Sequence, residues 1–143
     1  MTELIFNDDI SKALYYNVSN FQDQPSLEDP IVLRYTQIYP YRKVPKIEDT
    51  MKTYITLRCG NFKLVNNVFK SGYITFFVFT HVNLMPTDYG FLRVDYIINK
   101  IDEIFNKTMN MSGGKLQFDA MDEFDINDSY SGTWIRYKTM DFN

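Results

Sequence analysis

Residues 91–105 read FLRVDYIINKIDEIF. Apolar side chains fall at Phe91, Val94, Ile97, Ile98, Ile101, Ile104 and Phe105. Spacings of three and four are those of a helix laid on a sheet. Arg93, Asp95, Asn99, Lys100, Asp102, Glu103 and Asn106 are assigned to the outward side. Before this helix, Tyr73–Val82 (YITFFVFTHV) is apolar on both faces and predicts a central strand. Pro86 and Thr87-Asp88 stop it. After the helix, Gly113-Gly114 turns the chain into a short strand, Lys115–Phe118, followed by an acidic loop. Ser129–Gly132 turns it again into Thr133–Met140, where Thr133, Ile135, Tyr137 and Thr139 alternate with Trp134, Arg136, Lys138 and Met140.

Further upstream, Met51–Cys59 alternates, with Ile55 and Leu57 on one face and Tyr54, Thr56 and Arg58 on the other. It reads as a half-buried strand. Asn61–Val68 is a weaker strand or turn, with Asn66-Asn67 suited to a tight turn, and Gly72 interrupts the run. Asp8-Asp9 opens a first helix whose stripe is Ile10, Ala13 and Leu14. The expectation is one α+β domain over residues 1–143. Its sheet is mixed or antiparallel, of about four to five strands, with helices packed on one face.

Residues 21–50 carry Pro25, Pro30, Pro40 and Pro45. Each proline removes an amide donor and constrains its neighbour, so a long helix is excluded there. Ile31, Leu33, Tyr35, Ile38, Tyr39 and Tyr41 still make the segment apolar. It reads as a Pro-rich extended arm that contacts a neighbouring subunit, or as a long loop wrapped on its own core.

The chain has 143 residues, enough to bury roughly 68–70% of its unfolded surface in one core. Its 11 Tyr and 12 Phe suit half-buried surfaces such as subunit contacts, or simply an aromatic β-leaning core. Net charge is −3, which argues against sequence-specific nucleic-acid binding. The single cysteine, Cys59, excludes an internal disulfide. No leader peptide and no membrane span are expected.

No motif carries catalysis. Cys59 and His81 are the only thiol and imidazole, and a Cys/His nucleophile pair in a small enzyme or ligand-binding domain is formally possible. A lone histidine in a strand is more often a packed residue. One Cys and one His do not make a zinc set. Asp119, Asp122, Glu123, Asp125 and Asp128 invite a calcium reading. Counting from Asp119, however, position three is Met121 and position six is Phe124, so the EF-hand pattern fails. Gly113-Gly114 follows a helix and precedes no Gly-Lys-Ser/Thr, so it is a helix stop and not a phosphate loop. No enzyme activity, cofactor or metal is expected. The acidic stretch is either a solvated loop or a surface that keeps passing DNA from sticking.

The order strand (73–82), helix (91–105), strand (115–118) and a closing strand ending in Ile135-Arg136-Tyr137-Lys138 resembles the tail terminator and head–tail completion proteins of long-tailed bacteriophages. The helix string Ile101-Asp-Glu-Ile104 is part of that likeness, which covers residues 51–143; the Pro-rich arm has no counterpart in it. The resemblance implies a structural virion protein made in a bacterial host cytoplasm. It would form a ring, hexameric by analogy, that terminates the tail tube and joins it to the head, with DNA passing non-specifically through the lumen. Its partners would be copies of itself, the tail tube protein and the head-completion proteins, with no membrane. An adaptor or stopper ring of the same connector is the alternative within this class. On this reading Asp119, Asp122, Glu123, Asp125 and Asp128 form an acidic loop at the lumen.

Overall fold

The computed structural model describes residues 2–46, 50–65, 69–106 and 115–142. Among them the fold is α+β: a five-stranded mixed sheet of order β1-β2-β3-β5-β4 with three α-helices. The strands are β1 (Ile38–Tyr39), β2 (Thr53–Val65), β3 (Phe69–His81), β4 (Lys115–Asp125) and β5 (Tyr130–Phe142). Only the β1–β2 pair is parallel; the other neighbours are antiparallel. The helices are α1 (Thr2–Ile5), α2 (Asp8–Tyr15) and α3 (Arg93–Phe105).

The strands run longer than sequence punctuation suggests. Gly72 does not break β3; it pairs with Thr139 inside the ladder. The residues expected to form an acidic loop are mostly strand, because β4 continues to Asp125. A polar, acidic run loses the apolar alternation that marks a buried strand, yet an edge strand needs only one partner, and β5 supplies it. The predicted turns at Asn66-Asn67 and Gly113-Gly114 lie outside the described residues.

One face of the sheet meets the helices. Ile55, Phe76, Val78, Ile135 and Tyr137 pack against Ile10, Ala13 and Leu14 of α2 and Val94, Ile97, Ile98 and Ile101 of α3. The stripe of α3 is thus the one its spacing predicts, with two corrections. Phe91 precedes the helix and stacks on Tyr96 at 5.2 Å. Arg93, assigned to the outward side, is 1% exposed. The spacing contained this: 93, 97 and 101 are separated by four and share one face.

Arg93 holds the helical layer together. Its Nε donates to Leu84 O at 2.8 Å, Nη1 to Ala13 O at 2.6 Å and Tyr16 O at 2.9 Å, and Nη2 to Val18 O at 2.8 Å. Its guanidinium also lies 4.7 Å from the Phe21 ring centroid. Three of the carbonyls belong to the C-terminal end of α2 and the residues just beyond it, where unsatisfied acceptors and the negative end of the helix dipole gather. Burial lowers the Arg93 pKa to about 10, partly offset by Tyr89, and it stays cationic at neutral pH.

The Pro-rich segment is folded onto its own chain. Asp29 caps a 3₁₀ turn, Pro30–Leu33, and β1 then pairs with β2. Leu33, Ile38 and Tyr39 are buried, and the Gln37 side chain donates to Leu14 O and to Thr53 O. Proline forbids a helix here but not burial, and the apolar residues between the prolines complete the core. The extended-arm expectation is therefore corrected for Leu33, Ile38 and Tyr39. Ile31, Tyr35 and Tyr41 remain exposed. Tyr35 adopts φ 59 and stacks on Tyr41, with ring centroids 6.3 Å apart.

Two stability tests follow from this packing. Ile101→Ala should cost about 2–5 kcal/mol, since Ile101 is fully buried. Arg93→Met should cost about 3 kcal/mol or more, because it strands carbonyls that each carry a burial penalty of about 1–3 kcal/mol. Urea denaturation of each variant checks both. A third test is of pH. Burial, then the hydrogen bond to Asp102 and its charge, raise the Tyr137 hydroxyl well above the ordinary 10.0. The folded state keeps that proton where the unfolded state loses it. Stability from this group is therefore complete below pH 10 and falls as pH rises beyond it. Tyr137→Phe should flatten that alkaline decline in urea midpoints.

Candidate functional site

Strand alternation gives the sheet a second face, and among the described residues no helix packs on it. Tyr39, Tyr54, Phe79 and Tyr130 are its buried centre, with Phe77, Phe124 and Ile126 packed around them. Phe124 on β4 reaches Phe77 and Phe79 on β3 with ring centroids 5.5 and 6.1 Å apart. It does so over Gly132 of β5, which pairs with both Phe79 and Phe124. A Cβ at Gly132 would lie 1.8 Å from Val78 O, so no other residue fits that crossing without a backbone shift.

Residues 40–46 leave β1 and cross this face. Pro45 is buried, and its carbonyl accepts from Asn127 Nδ2 at 3.5 Å. Between this strap and the sheet lies a cavity of about 740 Å³. Phe77, Phe79 and Phe124 line it, with Arg42, Lys43 and Val44 of the strap, Thr56 and Arg58 of β2, and Asp125 at the end of β4. Its volume is that of an ordinary ligand site. Arg42 and Arg58 are exposed, and among the described residues neither forms an ion pair. Beyond the cavity the same face continues into Trp134, Arg136 and Tyr73. Arg136 lies 4.9 Å from the Tyr73 ring centroid and 5.4 Å from that of Trp134, and it bonds Asp119 at 2.7 Å. The surface is aromatic and cationic although the whole chain is acidic.

The acidic residues lie along β4, the last strand of the sheet. Asp119, Asp122, Glu123 and Asp125 are exposed on the strand, and Asp128 is exposed in the turn to β5. The register shifts between Phe118 and Ala120, which makes Asp119 the extra residue of a bulge that meets Arg136. Phe118 and Met121 stand between the acids, 51% and 52% exposed. Sequence reasoning passed over both residues, and it passed over Arg42 and Arg58 as partners of an aromatic floor. Alternation marked Arg58 as outward but could not say that, among the described residues, no helix would cover that side.

Cys59 and His81 do not meet. Cys59 pairs with Ile74 of β3, and His81 lies seven residues further along that strand, roughly 23 Å away. His81 Nδ1 accepts from Asn83 N at 3.1 Å and so starts a 3₁₀ turn, Val82–Leu84. The paired-nucleophile alternative is corrected by this separation. Among the described residues, no group of three or more His, Cys, Asp or Glu side chains converges as a metal site. No helix among them is long and apolar enough to cross a membrane.

The structure thus defines a class: a helix-backed mixed sheet whose second face is open, aromatic and basic. Residues 7–139 match the YomW family, and the chain belongs to it. This is a family of phage-derived, SPbeta-like prophage proteins, so the chain is a phage-associated protein. No curated protein and no solved structure matches the chain.

His81→Ala should cost about 1 kcal/mol through loss of the turn cap, whereas Cys59→Ser at an exposed position should stay within about 0.5 kcal/mol. Thermal unfolding of the two variants measures the difference. A Cys59→Ser effect several times larger would reveal a role that the geometry does not contain.

Proposed function

We propose that this protein is a structural component of the phage head–tail connector. In this reading it forms a ring, hexameric by analogy with tail terminators, that ends the tail tube and joins it to the head. DNA passes through the lumen without sequence recognition. An adaptor or stopper ring is the same reading one level along the connector.

The observation that carries it is the two-faced sheet in a chain of a phage-associated family. One face is sealed by helices; the other offers aromatic rings and cations with no helix over them among the described residues. The two sheet edges are also unlike, a two-residue β1 at one side and the acidic β4 at the other. Unlike surfaces on one chain favour heterologous contacts, which close into a ring when the rotation permits. The element order from β3 through α3 to β4 and β5 is the one on which the resemblance to tail terminators rests. No reactive constellation is needed, because such a protein acts through its interfaces.

The test is made in the particle. Phage from a strain carrying a tagged copy should contain the chain, and cryo-electron microscopy should locate the tag as a ring between head and tail. Loss of the gene should leave heads and tails unjoined. Particles that lack the chain, or that join normally without it, would overturn the proposal.

A further inference from the structure

The cavity and the β4 edge are each unexplained by the fold alone. Exposed acids along a free strand edge are a common protection against strand pairing. Phe118 and Met121 contradict that purpose: they are large, apolar, about half exposed and set between the acids. On the other face of the sheet, the cavity shows the reverse composition. Phe77, Phe79 and Phe124 form an apolar floor, and Arg42, Lys43 and Arg58 stand around it. One surface is an acidic segment with apolar anchors, and the other is an apolar slot with a basic rim. Both surfaces belong to this chain.

The geometry points to a second copy of this chain as the occupant of the cavity: the β4 edge of one subunit, Phe118–Glu123, seats in the aromatic cavity of the next. Phe118 and Met121 enter against the Phe77–Phe79–Phe124 floor, and Glu123, on the same side of β4, meets Arg42 and Arg58. A cavity of about 740 Å³ has room for two such side chains. The contact joins two different patches, so it is heterologous, and repetition generates a ring or an open chain of subunits. The charges steer and orient the contact, and the aromatic floor supplies most of the adhesion. This inference deepens the ring reading by naming its subunit interface, and it moves the acidic residues from the lumen to that interface.

Nucleic acid is the competing occupant, because aromatic rings and cations on an open sheet also suit single strands. The net charge of −3, and Asp125 in the slot lining, weigh against a polyphosphate strand.

A disulfide trap tests the contact. Val44 lines the slot and is 47% exposed; Met121 is 52% exposed, so neither substitution disturbs the core. Val44→Cys and Met121→Cys are combined in a Cys59→Ser background, with each single-thiol chain as a control. Diamide is the oxidant. The trap is applied to the purified full chain at high concentration and to particles that contain it. The expected result is a ladder beyond dimer, with the peptide around position 44 joined to the peptide around 121. Arg42→Glu with Arg58→Glu should lower that yield about tenfold. Adding Glu123→Arg to the same chain should restore it, since every subunit then carries both reversed patches. Only 44–44 or 121–121 bonds, no bonds in either setting, or failure of the charge reversal to restore the yield would overturn the inference. Binding of a labelled fifteen-nucleotide oligo(dT) that is abolished by Arg42→Glu with Arg58→Glu, without a 44–121 bond, would assign the slot to nucleic acid and also overturn it. The two readings fail separately. Particles that contain the chain without the 44–121 bond refute the interface alone. A bond in solution from a chain absent from particles refutes the connector alone.

Discussion

A single buried cation organises the helical side of this protein. Arg93 starts α3, and its three nitrogens reach carbonyls at Leu84, Ala13, Tyr16 and Val18. It therefore joins the end of α2, the chain just beyond it, the turn after β3 and the start of α3 at one point. No carboxylate is among the partners these bonds name. The charge is stabilised instead by peptide dipoles and by the face of Phe21, which are fixed in place by the fold itself. Burying such a cation is costly unless every donor finds an acceptor. The residues from Ala13 to Val18 must therefore hold one conformation, and they set where α2 lies on the sheet.

With the helices seated in that way, the opposite face of the sheet is free to differ. Its centre is closed by aromatic packing, Tyr54 on Phe79 at 5.3 Å and Phe79 against Phe124 over Gly132. The strap of residues 40–46 covers only part of it. Arg42, Lys43 and Arg58 gather at the margin, and the acids are displaced to β4. The overall charge of the chain hides this separation. A small negative sum is compatible with a strongly basic local surface when the acidic residues lie on other elements.

This division also bears on the phage association. A protein that works by contact needs a rigid body and distinct adhesive surfaces, and here one sheet provides both. The helical layer fixes the strands, and strand alternation then delivers a second set of side chains to the outside. The exposed Tyr35 stacks on Tyr41 of the strap, which lines the slot, and extends the aromatic surface beyond it. Tyr35 holds a left-handed backbone there, which a bulky side chain adopts only when its neighbours fix it.

The sequence by itself determined the elements whose pattern is strong. The three-and-four spacing of α3, the apolar run of β3 and the alternation of β5 each follow from burial on a periodic backbone, and each element is present at its predicted place, with α3 starting two residues later and both strands running longer. The boundaries of β4 were not legible, because an edge strand buries little and its acidic residues resemble a loop. The fate of the Pro-rich segment was not legible either. Local chemistry excludes a helix there, but whether Leu33 and Ile38 lie on their own core or on a neighbour depends on the space the other elements leave. Arg93 shows the same limit: its position on the stripe could be counted, but a guanidinium becomes a core residue only when distant carbonyls converge on it. The slot is wholly a tertiary product. Residues 42, 58, 77 and 124 are far apart in the chain, and strand order together with the missing side chain at Gly132 brings them to one surface.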